Sequence, residues 1–437
     1  DDAGDGIATP KAGMPRRKRD GSPMFAPPRP ALVTDRVRMV GDLVAMVVAE
    51  TLPQARDAAE LVAVDYEALP SATSVDHAAQ PDAPRVWDEN PDNISHTVER
   101  GDRAATDAAF AAAAHVVTRR YVITRVHAQY MEPRGSIGTW DPGEERFTLY
   151  ADVNYPHRVR NMLAAMVFKM PESKVRVLVE DVGGGFGTKG WQYLDHRLTL
   201  WAARKLGRPV KWRCDRSEAL LADEHGRDNI GEIALALDAD GRILGLRLHM
   251  LASIGAYIAS DRQLLTPFGQ IGTVTGVYDI PAAHVTIDAV LSNTSPTAPY
   301  RGAGRPEAIY LIERVIEAAA GELGADPVAL RRRNIIPAAK LPYKAPLGPY
   351  YDVGEFERNM DLALEAADVA GFPARRDASR AGGRLRGLGI ANAIEQAAGP
   401  TPEYAEIRFN PSGTAMMLLG TKTHGQGHET AFKQILH

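Results

Sequence analysis

Cysteine is almost absent. Cys214 is the single thiol in 437 residues. One thiol excludes an internal disulfide framework, a cysteine-ligated zinc site and iron–sulfur clusters held by this chain. It suits a reducing compartment, and a cytoplasmic location is expected. Long apolar runs are missing as well. None approaches the roughly 20 residues a helix needs to cross a bilayer, and no secretory leader is visible, so no membrane contact is expected. Charge of one sign is not in excess: 51 Lys and Arg stand against 55 Asp and Glu, a net charge of −4. Without a basic stripe, nucleic acid is not an expected partner. What is present is 45% hydrophobic residues, ample for a sizeable core and for more than one domain. The chain opens on DDAGDG, polar and turn-like, and closes on TAFKQILH, a helical pattern with no stop signal. We expect a piece of a longer polypeptide; the alternative is a processed chain with frayed ends.

Residues 1–34 are rich in Gly, Pro, Arg and Lys and read as loop. RVRMVGDLVAMVVAE reads as two short β-rich runs split at Gly41-Asp42, and TLPQARDAAELV as a helix led by Thr51. VAVDYEALP reads as a strand stopped by Pro70. Together they predict a strand–helix–strand unit between Val37 and Tyr66. Ser71 to Asp92 is polar and Pro-rich, a candidate boundary. Helices are predicted in DRAATDAAFAAAAHVV, PHRVRNMLAAMVFKM, WQYLDHRLTLWAARKLG and EAIYLIERVIEAAAGELG, and a strand in VVTRRYVITR. Hairpins are predicted in GEIALALDADGRILGLRLHM and AEIRFNPSGTAMMLLG, the first turning at Asp240-Gly241. Strands and helices mix without strict alternation, so the expected class is α+β, or mixed α/β.

VEDVGGGFGTKG, Val179 to Gly190, puts a bare backbone between a strand and a helix. Gly185 to Gly190 fits G-x-G-x-x-G, the pattern of a dinucleotide turn, but a lone match is weak. It is not a P-loop, because Gly190 rather than Ser or Thr follows the lysine. A tight turn without a ligand fits equally well. Three other stretches are hard to read as packing: MEPRG (Met131–Gly135), YRGAGRPEA (Tyr300–Ala308) and THGQGHET (Thr423–Thr430). Each places fixed donors beside open backbone. Together they suit a large, polyanionic cofactor rich in heteroatoms.

These stretches, with DRVRMVGDLVAMVVAETLPQARDAAELVAVDYEALP, resemble the molybdenum-binding large subunit of the xanthine dehydrogenase and aldehyde oxidase family. The nearest likeness is to the aerobic carbon monoxide dehydrogenase large chains, and it runs over nearly the whole sequence. The resemblance implies a hammerhead α/β domain over residues 1–92, incomplete at its N-terminus. It implies a first molybdopterin-binding domain over 93–350, and the start of a second over 351–437. It implies a molybdenum–molybdopterin cofactor, in the cytosine dinucleotide form. Electrons would leave for a [2Fe-2S] subunit and an FAD-binding subunit, in a dimer of heterotrimers. Metal ligands from protein side chains are not expected.

By the same resemblance, Gly185, Phe186 and Gly187 form the loop whose backbone approaches the oxygen ligand of molybdenum. Arg301 approaches the cofactor, and Gly425, Gln426 and Gly427 hydrogen-bond its pterin side. Asn154 stands where many members have a glutamine beside the metal. Catalytic roles would fall to Asn154, Phe186 and Gly187, and the substrate pocket to Gly190, Gly302 and Ala303. Gly302 replaces the cysteine that binds copper in carbon monoxide dehydrogenases, and Gly190 replaces the glutamate of purine-oxidising members. An aldehyde or N-heterocycle is therefore the expected substrate, ahead of CO. The family's general-base glutamate lies beyond residue 437, and none of Glu132, Glu180, Glu307 or Glu429 occupies its motif. The isolated chain is expected to be inactive. Glu132 reads as structural, satisfied by backbone N–H groups or Arg134; Lys189 as a loop support or a solvated residue; Cys214 as a buried structural thiol. The competing readings are an NAD-type dehydrogenase built on the Gly185–Gly190 turn, and a non-catalytic scaffold remnant.

Overall fold

Two sheets share the β-rich middle of the chain. The structure is a computed structural model and describes residues 7–265, 268, 271–395 and 402–437. Its main strands are β1 (Ile94–Gly101), β2 (His115–Ile123), β3 (Gly135–Asp141), β4 (Arg146–Ala151), β5 (Val175–Leu178), β6 (Val210–Arg213), β7 (Asn229–Leu237), β8 (Ile243–Gly255) and β9 (Ala282–Leu291). The larger sheet runs β1-β9-β8-β7-β2, with β8 and β9 parallel and the other neighbours antiparallel. Strand β9 is buried along its whole length. The helix Arg305–Leu323 turns Leu311, Ile312, Val315, Ile316 and Ala319 into this core, the spacing of an amphipathic face. Left-handed glycines, Gly304 and Gly324, flank it.

The smaller sheet runs β5-β4-β3-β6. It packs on the helix Leu194–Leu206, with Phe147, Leu149, Leu198 and Leu200 fully or nearly buried between them. A Cβ on Gly138 of β3 would lie 2.6 Å from the Thr199 carbonyl, so the helix sits directly on the strand. Gly207 ends that helix at φ 62°, as its sequence predicts. The class is α+β, and both predicted hairpins are present. The four predicted helices form at Arg103–Ala111, Pro156–Met162, Leu194–Leu206 and Arg305–Leu323.

The strand–helix–strand unit between Val37 and Tyr66 is not there. Its helix forms over Leu52–Glu60, capped by Thr51 in a reciprocal box with Gln54. Both flanking strands are absent among the described residues. The cause is a missing neighbour: Val62, Val64 and Tyr66 alternate as a strand does, yet Leu61–Pro70 is exposed throughout and no described strand pairs with it. The polar stretch after it is no open linker, since Ala72, Val75 and Ala78 bury themselves against Ile230 and Val290. The opening DDAGDG lies outside the described residues.

Candidate functional site

The bare stretch after β5 is a loop tied down on three sides. Gly184, Phe186 and Gly187 take positive φ values of 93°, 47° and 99°. At Gly187 the freedom is required, because a Cβ there would lie 2.6 Å from the Pro299 carbonyl oxygen. The loop therefore touches the segment leading to Arg301, and the Arg301 N–H donates to the Phe186 carbonyl at 2.9 Å. Gly302, Ala303 and Gly304 follow, all at positive φ, and deliver the chain into the helix Arg305–Leu323. Two segments more than a hundred residues apart thus form one surface, with the Arg301 guanidinium 5.6 Å from the Phe186 ring centre.

Asn154 closes this surface from behind. Its N–H donates to the Lys189 carbonyl at 2.9 Å. The residue is 2% exposed, yet neither amide atom of its side chain has a hydrogen-bond partner. The amide lies against Gly185, where a Cβ would be 2.4 Å from Asn154 Oδ1. A buried amide without partners is costly in a finished protein. Beside a strip of backbone bare enough for close approach, it fits a bound oxygen-rich group, which is what a molybdopterin cofactor would present.

Lys189 is a support and not a solvated residue. It is 1% exposed, its ammonium donates to the Glu132 carbonyl at 2.7 Å, and it pairs with Asp152 and, at 3.5 Å, with the Glu132 carboxylate. Glu132 accepts from the Gly183 N–H at 2.7 Å, so its structural reading holds through the backbone. Arg134 does not serve it. That guanidinium turns the other way, to Asp195 and to Asp223 at 2.7 Å, stacked 3.9 Å from the Tyr193 ring centre. Burial raises the pKa of Asp223, which also takes a 3.1 Å contact from His127. Cys214 is buried, and burial pushes its thiol up to about 12, so it stays protonated and inert.

Two residues that the sequence did not single out complete the site. Arg227 donates to the carbonyls of Tyr300 (2.8 Å) and Arg301 (2.7 Å), and its charge faces the buried Glu307 at 3.6 Å. Burial raises the pKa of Glu307. Arg262 donates to the Gly187 carbonyl at 2.6 Å and to the Thr188 carbonyl at 3.1 Å. A Cβ on Gly190 would meet Arg262 Nη1 at 3.3 Å and the Tyr155 ring at 3.4 Å, so even a methyl group there would be tight against both. Among the described residues Gly425, Gln426 and Gly427 make no contact with the two loops. Lys422 reaches the Glu180 carbonyl at 2.6 Å, but Gln426 turns back on His424, accepting from its N–H at 2.7 Å. Among the described residues no group of three His, Cys, Asp or Glu could hold a metal ion, and no helix is long and apolar enough to cross a membrane.

The NAD-type turn does not fit this topology. The strands on either side of the helix Leu194–Leu206, β5 and β6, lie at opposite edges of their sheet, with β4 and the antiparallel β3 between them. A dinucleotide turn belongs to a wound parallel sheet.

The two loops and the orphaned amide form one surface, and comparison with known proteins gives the class. The molybdopterin cofactor-binding domain matches residues 86–335, a second such domain matches 362–437, and the aldehyde oxidase and xanthine dehydrogenase a/b hammerhead domain matches 9–70. The chain belongs to the xanthine dehydrogenase and aldehyde oxidase family of molybdenum hydroxylases. It is 35% identical over 433 residues to the carbon monoxide dehydrogenase large chain of Hydrogenophaga pseudoflava, covering 93% of this chain and 54% of that one. It is 33% identical over 420 residues to the nicotine 6-hydroxylase large subunit of Paenarthrobacter nicotinovorans, covering 93% and 51%. Among solved structures, quinoline 2-oxidoreductase from Pseudomonas putida 86 superposes with a TM-score of 0.89 at 31% identity, covering 99% of this chain and 56% of that one. The chain spans about half the length of the curated relatives it matches.

Proposed function

We propose that this chain is the cofactor-holding part of a molybdenum hydroxylase catalytic subunit. Its substrate would be an aldehyde or an N-heterocycle, oxidised with an oxygen derived from water. The carrying observation is the buried, unpartnered Asn154 amide laid against Gly185, beside the junction of Phe186 and Arg301. The cofactor, a molybdenum–molybdopterin in its cytosine dinucleotide form, would supply the two-electron redox chemistry. The chain's residues do the holding. Arg301 offers a planar fork to phosphate or pterin oxygens. The Phe186 and Gly187 backbone, fixed by Arg262 and the Arg301 N–H, offers pre-aimed donors that need no reorganisation as charge develops. Asn154 adds an amide to the same side. Gly425, Gln426 and Gly427 would take the pterin side once Gln426 releases His424.

Nicotine and quinoline in the names of the relatives favour a flat N-heterocycle. Gly190, Gly302 and Ala303 would line the pocket that takes it, Gly190 beside Tyr155 and Gly302 against Pro306. Gly302 carries no thiol, which argues against CO. Because the chain has one cysteine, iron–sulfur clusters must come from a partner. A [2Fe-2S] subunit and an FAD-binding subunit in a dimer of heterotrimers fit that need. We assign residues 1–92 to the hammerhead domain, 93–350 to the first cofactor domain and 351–437 to the second.

The test is metal and nucleotide analysis of the complex from its own host. Near-stoichiometric molybdenum with released CMP is expected. A complex with all its subunits and no molybdenum would overturn the reading and leave a scaffold. The 437-residue chain alone is expected to be inactive, because none of Glu132, Glu180, Glu307 and Glu429 occupies the general-base motif that the resemblance implies, and Glu132 is held by Gly183 and Lys189; hydroxylase turnover by it would contradict this.

A further inference from the structure

Arg262 lies in a short turn, Asp261–Leu264, far in sequence from both loops of the site. It is 1% exposed. One of its nitrogens donates to the Gly187 carbonyl at 2.6 Å and reaches the Pro299 carbonyl at 3.4 Å; the other donates to the Thr188 carbonyl at 3.1 Å. Gly187 and Thr188 belong to the glycine loop, and Pro299 leads into the arginine loop. One guanidinium therefore holds both. Its charge is met by the Glu224 carboxylate at 3.4 Å, which Gln263 fixes in turn through a 3.0 Å hydrogen bond. The two loops approach so closely that Gly187 has no room for a Cβ against Pro299. Among the described residues they share one direct backbone bond at this junction, from the Arg301 N–H to the Phe186 carbonyl.

We infer that Arg262 is the positioning residue of this site: its fork fixes the spacing between the glycine loop and the arginine loop, so that the two move as one body. A planar five-donor group can serve carbonyls on two segments at once, whereas a lysine ammonium on a flexible stem cannot reproduce that geometry. The argument for the loops stands on the geometry above; its consequence for catalysis rests on the molybdenum reading.

The experiment compares wild type with Arg262→Lys in the full complex, by hydrogen exchange read at peptide resolution and by molybdenum content. Exchange in both 183–190 and 299–304 is expected to quicken by about tenfold together, with β7 to β9 unchanged. Molybdenum content should stay near that of wild type. The Mo(V) electron paramagnetic resonance signal should change shape, and kcat should fall about tenfold or more with little change in KM. Unchanged exchange in either loop, or quickening in one alone, overturns the inference. If Arg262→Lys does not fold, exchange of the wild type in rising denaturant decides: both loops must open at the same free energy, and separate opening refutes the clamp. If the wild-type complex holds no molybdenum, the functional reading fails, while the exchange result still decides on the clamp.

Discussion

At Gly185 the fold leaves room for a hydrogen and nothing larger. A methyl group there would overlap the Asn154 amide, at 2.4 Å from Oδ1 and 2.5 Å from Nδ2. Gly185→Ala is expected to cost about 1–3 kcal/mol and to lower molybdenum content. Truncating the obstacle in Gly185→Ala/Asn154→Ala should recover most of the stability but not the activity; denaturant melts of both variants check this. At Gly187 the obstacle is the Pro299 backbone, and φ is 99°, so Gly187→Ala should be worse, and truncating a neighbouring side chain should not rescue it. These positions are legible in the sequence because glycine writes conformational need directly into the chain. Arg262 and Arg227 are not. Their acceptors are carbonyls 37 to 75 residues away, which any residue type supplies, so nothing near either arginine marks its role.

Among the elements, the glycine loop is held by a charge balance as well as by hydrogen bonds. Lys189 is buried between Asp152, itself 9% exposed at the side chain, and Glu132. Lys189→Met should strand the Asp152 charge and cost about 3–5 kcal/mol, with Lys189→Met/Asp152→Asn recovering a large part, read as thermal midpoints. Element boundaries followed the local patterns where a partner surface exists. The helix Leu194–Leu206 has its apolar face, its sheet and its Gly207 stop. The alternating run at Val62 to Leu69 has the pattern and, among the described residues, no sheet to join. Periodicity tells which face would be buried; it cannot supply the neighbour that buries it.

For the molecule as a whole, acid should be the weak side. His96, on the edge strand β1, is fully buried against Phe268, and burial, with Arg16 adding, pushes its pKa down to about 3. His225 is pushed down to about 4, again chiefly by burial. The unfolded chain takes up protons from about pH 6.5 downwards and the folded one does not, so stability falls as pH drops through that window. Each unit below 6.5 costs about 1.4 kcal/mol for a histidine held neutral in this way. Between pH 7 and pH 5 the wild type should lose about 2 kcal/mol more than His96→Gln. Equal losses would show that His96 is not the source.

The exposed run from Leu61 to Pro70 has a consequence of its own. It is a zipper half with its teeth bare: Val62, Val64 and Tyr66 are exposed, and among the described residues no strand pairs with this backbone. Such an edge recruits whatever extended chain it meets, and at high concentration that is another copy of itself. The 437-residue chain should therefore self-associate as its concentration rises, with light scattering climbing before any loss of helix signal. Val64→Lys, a single charge set among the teeth, should hold it monomeric without touching the cradle.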